Sequence, residues 1–210
     1  MNPEQPGYGR IKAAILADLP PVRPLGPAWM WGWLMAALAA MVAGAGGWVL
    51  RPLGFDLLTP VQRGCIFGAA AGSAGLLANL LARGMFPGHR VLWSGLWAVV
   101  VAISVLPLAL AYALRYRAEP DFIPAAWTCF RISVLLAAVT APLLWAVLRQ
   151  GAWMSPTLTG AACGALAGLA GMTALEIHCP NLDLNHVLAG HFAAVLVASL
   201  AGWTVAKLTP

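Results

Sequence analysis

Side chains that could do chemistry concentrate in one short stretch near the C-terminal end of the chain, which reads EIHCPNLDLNHVLAGH from Glu176 to His191. The stretch holds one cysteine, three histidines and two carboxylates. Thiolates and imidazoles are ligands of soft and borderline metal ions, and a thiol can also be oxidised to a disulfide. These residue types predict a redox or a metal-binding site, and the compartment that the stretch faces bears on which one.

The elements that must hold this stretch lie in a membrane. Of the 210 residues, 61% are hydrophobic and 9% are charged. A soluble domain carries about 25% charged residues, so the composition excludes that class. Segments of about 20 apolar residues can span a bilayer, and lipid forces them to be helical because no water is present to satisfy the backbone. Six such spans are predicted: Trp29–Leu50, Gly64–Leu81, Val91–Leu114, Ala125–Leu148, Thr157–Ile177 and His186–Leu208.

The sequence therefore predicts an all-α membrane protein, a six-transmembrane-helix bundle over residues 28–210 with a short cytoplasmic N-terminal segment at residues 1–27. An even number of spans puts both termini on one side. If that side is the cytoplasm, it receives seven of the twelve basic residues, which agrees weakly with the positive-inside rule. The turn that contains Cys179 then faces the periplasm.

Three cysteines fall at this predicted periplasmic edge: Cys65 at the start of span two, Cys129 at the start of span four and Cys179 just after span five. Disulfides persist in such an oxidising compartment. A metal site from His178, Cys179 and His186 is a geometric possibility that we rank below a structural or redox role. In an α-helix, His191 lies about 140° around the axis from His186, so these two are not expected to share a face, and His191 is predicted to be a buried packing residue.

Two stripes of small residues repeat at every fourth position. They are Gly64, Gly68 and Gly72 in span two and Gly160, Gly164 and Gly168 in span five. Small residues let helix backbones approach closely where lipid gives no hydrophobic drive for association. The stripes predict tight helix packing, and one arrangement would pack them against each other.

The N-terminal segment contains RIKAAILADLPPVRPLGP. Ile11, Ile15 and Leu19 recur at every fourth residue and form, with Leu16, one apolar face of a short helix. The following Pro20 cannot continue the helix. The pattern leaves two interpretations open with equal weight: an interfacial helix that leads into span one, or a helix that places its apolar face in a partner's groove.

Four pieces of the sequence, in their order around the six spans, resemble a known family. They are LADLPPVRPL, WTCFRISVLLA, LRQGAWMSPTLTGAACGALAG and HCPNLDLNHVLAGH. The arrangement is similar to the NrsF-like six-helix integral-membrane anti-sigma factors, which restrain extracytoplasmic-function sigma factors in bacteria, and the resemblance covers nearly the whole chain.

The resemblance implies a multi-pass protein of the bacterial inner membrane that binds a sigma factor through its cytoplasmic N-terminal segment. It also implies that Cys129 and Cys179 sense oxidants or thiol-reactive heavy metals. The residues expected to contact the partner are Ile15, Leu16, Asp18, Leu19, Pro20, Val22, Arg23 and Pro24. The lipid bilayer is the other partner, and no direct contact with nucleic acid, no catalytic residue and no cofactor is expected.

The sequence argues against two other classes. A membrane thiol–disulfide oxidoreductase would want a reactive thiol with a resolving partner, commonly Cys-x-x-Cys, and the sequence has no such motif. A small transporter or a haem or metal-binding membrane protein would want charged residues near the middle of a span or paired histidines. None of the six predicted spans has Asp, Lys or Arg there, and His186 and His191 are not spaced as an i, i+4 pair. The anti-sigma class alone explains why a patterned helix that ends in Pro-Pro precedes the bundle.

Overall fold

The computed structural model describes residue 9 and residues 26–86, 92–116, 122–151 and 155–208. Within them the chain forms helices joined by short turns. These are α1 (Ala28–Val49), α2 (Leu53–Leu57), α3 (Pro60–Gly84), α4 (Leu92–Ala113), α5 (Phe122–Leu148), α6 (Pro156–His178), α7 (Leu184–Val187), a π-helical turn (Leu188–Phe192) and α8 (Ala193–Leu208).

Six helical segments in this described part are long and apolar enough to cross a membrane. They coincide with the six predicted spans, which confirms the all-α, six-helix fold and makes the chain a multi-pass membrane protein. The second span begins earlier than predicted because Thr59 caps α3. Its hydroxyl oxygen accepts from the Gln62 N–H at 3.3 Å, and the Gln62 Oε1 accepts from the Thr59 N–H at 2.9 Å.

Helix α6 is the central element of the bundle. In the most apolar 18-residue stretch of α6, 78% of the residues are buried. In the corresponding stretches of the other five spans, 22–44% of the residues are buried. Alanine and glycine dominate its sequence, so neighbouring helices can approach it on several sides. A Cβ on Gly171 would overlap the carbonyl oxygen of Ser133 in α5, and a Cβ on Gly47 of α1 would lie 2.7 Å from Ile177. Close contact with both neighbours therefore requires glycine.

The two glycine stripes behave differently. Gly160, Gly164 and Gly168 of α6 face the last span, where a Cβ on Gly164 would overlap the carbonyl oxygen of Ala198. Around the second stripe, at Gly64, Gly68 and Gly72, no atom of the described residues lies within 4 Å of an added Cβ. The stripes therefore do not pack against each other, which was one of the arrangements that the sequence left open.

The opposite face of α3 explains the difference. Its buried residues are Ile66, Ala70, Ser73, Leu77, Ala78, Leu81 and Ala82. Ile66 and Ala70 lie two positions after Gly64 and Gly68, about 200° around the helix axis. On this face Ser73 donates to the carbonyl oxygen of Ala102 in α4 at 3.0 Å. The glycines of α3 therefore face outward from the bundle.

Candidate functional site

The site begins at the end of α6, where the chain leaves the helix at Cys179 and turns toward α7. Asp183 caps α7, since its Oδ1 accepts from the N–H groups of Asn185 at 2.9 Å and His186 at 3.3 Å. The turn is tied to the chain just after the third span, α4, because the Leu184 N–H donates to the carbonyl oxygen of Arg115 at 3.1 Å. These bonds fix where His186 enters the bundle.

A π-helical turn then brings the two histidines of the last span together. In this turn, Leu188–Phe192, the backbone bonds run from i to i+5, which carries a residue and the fifth one after it toward the same side. The rings of His186 and His191 meet edge to face with their centroids 5.4 Å apart. The expectation that these two could not share a face is wrong, because it assumed regular α-helical geometry.

Helix α5 contributes the fourth side chain, Cys129. Close approach is possible because residue 190 is glycine: a Cβ there would lie 2.9 Å from the carbonyl oxygen of Ala126 and 3.2 Å from the Cβ of Cys129. The Sγ atoms of Cys129 and Cys179 lie 3.9 Å apart, and Cys179 Sγ lies 3.3 Å from His186 Nε2.

We call Cys129, Cys179, His186 and His191 the Cys–His cluster. One potential ligand atom from each of the four residues lies within 4.8 Å of all the others. The two histidines are each 1% exposed and Cys179 is 6% exposed. The structure therefore brings together both cysteines that the sequence singled out. It joins to them His186, which the sequence analysis included in a possible metal site, and His191, which it predicted to be a packing residue.

A buried carboxylate that the sequence reasoning passed over supports the cluster. Glu176, 2% exposed, accepts from the Nδ1–H of His191 at 2.8 Å. The signal was present in the sequence, because Glu176 is the only acidic residue within the six predicted spans. An ionisable residue inside the membrane indicates a functional site by default.

His178, the remaining member of the predicted metal set, lies outside the cluster. Its Nδ1–H donates to the carbonyl oxygen of Arg51 at 2.9 Å. Arg51 adopts the left-handed backbone conformation with φ 75°, which turns the chain between α1 and α2. Next to it Gly54 packs directly on the end of α6, where a Cβ would overlap the carbonyl oxygen of Cys179. The short helix α2 thus covers the backbone beside the cluster.

The cluster can do two kinds of chemistry. Two thiols in contact can be oxidised to a disulfide, which requires the sulfur atoms to close from 3.9 Å to about 2.05 Å. Alternatively, two sulfurs and two imidazole nitrogens can bind a metal ion. The contact with the Cys129 thiol, and then burial, raise the pKa of Cys179.

Comparison of the sequence with known protein families gives a match. The sequence pattern of the family NrsF, described as negative regulator of sigma F, matches residues 15–209. The chain belongs to the NrsF family. Searches of curated proteins and of solved structures returned no significant match.

Membership in the NrsF family confirms the resemblance stated from the four sequence pieces, and it supports an anti-sigma role with a sigma factor as the implied partner. The match includes every residue of the Cys–His cluster and begins at Ile15, at the predicted contact segment. The contact residues themselves lie outside the described part of the chain. They are Ile15, Leu16, Asp18, Leu19, Pro20, Val22, Arg23 and Pro24.

Proposed function

We propose that the protein is a membrane-embedded anti-sigma factor that holds an extracytoplasmic-function sigma factor away from RNA polymerase. It releases the sigma factor when a redox or heavy-metal signal acts on Cys129 and Cys179. The observation that carries the sensory half is the 3.9 Å separation of the two sulfur atoms in a chain of this family.

The partner contact is assigned to residues 15–24, with Ile15, Leu16 and Leu19 as apolar anchors. Two observations support this: the segment lies inside the family match, and its apolar spacing gives a short helix one face for a groove. The segment must then lie in the cytoplasm, where sigma factors act. The orientation with both termini in the cytoplasm of the bacterial inner membrane follows from this and from the distribution of basic residues.

Packing through the bundle supports a route from the cysteines to this segment. Cys179 directly follows α6, and Cys129 lies near the start of α5. Helix α1, which begins just after the N-terminal segment, packs on α6 through Gly47. A bond or ion that joins the two sulfurs would shift α5 against α6, and α1 would respond. The signal works only if it favours one arrangement of the helices over the other.

The serine variants Cys129→Ser and Cys179→Ser test the sensory role. Each should accumulate normally, because serine is close in size to cysteine. Induction of the sigma-dependent genes by cadmium, chromate or peroxide should fall to the uninduced level, because neither a disulfide nor a thiolate–metal bond can form. Immunoblots of membranes and a transcriptional reporter measure the two quantities.

Cys65→Ser is the matched control. Cys65 lies in the first turns of α3, and its thiol donates to the carbonyl oxygen of Ala109 at 3.7 Å, a bond that serine can also make. This variant should respond as the wild type does. Normal induction in both cluster variants would reject sensing by the pair, and loss of protein in both would instead indicate a disulfide that only stabilises the bundle.

Reporter fusions test the orientation. Alkaline phosphatase, which is active only in the periplasm, should be inactive when fused after Lys207 and active when fused after Asn181, in the turn before α7. The reverse pattern would place the N-terminal segment outside the cytoplasm and contradict the proposed sigma-factor contact.

A further inference from the structure

We infer that the Cys–His cluster is a closed, four-ligand site for a divalent ion of the zinc class, Zn²⁺ or the softer Cd²⁺, with Glu176 as a positioning residue. This deepens the sensory half of the proposed function, because it names the ligand and adds both histidines to the cysteine pair. The binding itself requires no sigma factor and can be tested without one.

The distances between ligand atoms suit such an ion. Tetrahedral zinc with ordinary bond lengths places two sulfur ligands about 3.8 Å apart and a sulfur and a nitrogen about 3.6 Å apart. The observed separations are 3.9 Å between the two sulfurs and 3.3 Å between Cys179 Sγ and His186 Nε2. All four ligand atoms lie within 4.8 Å of one another, so movements of about 1 Å would let them surround one ion.

An unsatisfied nitrogen at the cluster points to the same ligand. His191 Nε2 is fully buried and makes no hydrogen bond within the described part of the chain. A buried polar atom without a partner destabilises the folded protein. A metal ion at the cluster would use the lone pair of this nitrogen, whereas a disulfide between the two cysteines would leave it unsatisfied.

Glu176 sets the direction of that lone pair. Its carboxylate accepts the Nδ1–H of His191 at 2.8 Å, so in the neutral ring the proton is on Nδ1 and Nε2 is free to bind an ion. Carboxylate, histidine and metal form this chain repeatedly in zinc proteins, where the carboxylate orients the ring and raises its basicity. The pairing also accounts for an acidic residue inside an apolar span.

Charge and coordination number restrict the kind of ion. Binding converts two thiols to thiolates and releases two protons, with no electron transferred. The divalent cation then offsets two of the three negative charges, those of the two thiolates and the Glu176 carboxylate, in a site whose histidines are 1% exposed. Four protein ligands leave no open position for a substrate, which is the arrangement of structural rather than catalytic zinc sites.

The ligands also join three spans. Cys129 belongs to α5, Cys179 directly follows α6, and the histidines lie at the start of the last span. One ion would therefore fix the relative positions of three helices at one end of the bundle. A disulfide between the two cysteines would join only α5 and α6.

Cobalt binding to the purified full-length protein, reduced and metal-free in detergent, tests the inference. Co²⁺ in a tetrahedral site with two thiolates gives strong visible d–d bands and thiolate-to-cobalt charge transfer. We expect one Co²⁺ per chain with both features, displaced by Zn²⁺ or Cd²⁺. X-ray absorption of the zinc-loaded wild type should give two sulfur and two nitrogen neighbours. Absence of binding, or coordination by sulfur alone, would overturn the inference without any variant.

Variants assign the ligands. Glu176→Gln should weaken metal binding by about 10–100-fold, the usual effect of removing a carboxylate behind a histidine ligand, and His191→Gln by about 100-fold or more. His178→Gln is the matched control. His178 is hydrogen-bonded to the carbonyl oxygen of Arg51 and is not part of the cluster, so this variant should bind the metal ion with wild-type affinity. Wild-type affinity in His186→Gln and His191→Gln would reject the four-ligand site.

Pull-downs with the sigma factor distinguish a failure of this inference from a failure of the proposed function. A wild-type protein that retains its sigma factor in pull-downs but binds no metal would reject only the metal site. A protein that binds metal through four ligands but never retains a sigma factor would reject the anti-sigma function and leave the site intact.

Discussion

Replacing Gly164 with valine is expected to detach the last span from α6 and to prevent stable assembly of the bundle. A Cβ at this position would overlap the carbonyl oxygen of Ala198, and the neighbouring Gly160 meets the backbone of Gly202 just as closely. The overlap is with backbone atoms, which cannot rotate away. The destabilisation should reach about 3 kcal/mol or more, the upper end for overpacked interiors.

Gly68→Val is the matched control for this change. Gly68 is exposed, and among the described residues no atom lies within 4 Å of an added Cβ. Its effect on stability should stay within about 0.5 kcal/mol. Thermal unfolding in detergent and the amount of protein in membranes measure both variants. Equal stability of the two would contradict the packing of α6 against the last span.

Leu19→Ala should release the sigma factor while the protein stays in the membrane. Leu19 completes the apolar face that Ile11 and Ile15 begin, and a docked helix concentrates its binding energy in a few such anchors. Loss of one anchor should cost about 2 kcal/mol or more, which weakens binding roughly 30-fold. Co-purification with the sigma factor and a sigma-dependent reporter measure the result, and the reporter should be active without any inducing stress.

Ala17→Ser serves as the control, because Ala17 is two residues before Leu19 and lies on the opposite side of the predicted helix. It should retain the sigma factor as the wild type does. If Leu19→Ala also co-purifies with the sigma factor at the wild-type level, the apolar face is not the contact surface.

Composition was sufficient to predict the fold, because lipid leaves a chain of this kind little choice except helices. The order of the predicted spans also put Cys129 and Cys179 at one membrane edge, since Cys129 lies at the start of span four and Cys179 just after span five. Helix pairing could not be predicted in the same way. Both glycine stripes have the same spacing, and only the three-dimensional arrangement distinguishes Gly164, which meets Ala198, from Gly68, which faces outward.

The site could be predicted only in part. Glu176 could have been found as the one acidic residue in the predicted spans, but its partner could not, because His191 reaches it only through a π turn. Such turns have no reliable sequence signature. Gly190, which lets that turn approach Cys129, reads in the sequence as one more small residue in a membrane helix.

The π turn changes the direction around the helix axis in which side chains of the last span point. Before it, His186 is aligned with the cluster, and after it the small residues Ala198 and Gly202 are aligned with the glycines of α6. One extra residue in an α-helix rotates everything after it by about 100°, so an uninterrupted helix would align one set and misalign the other. The turn therefore lets a single span present its histidines to the cluster and its small residues to α6.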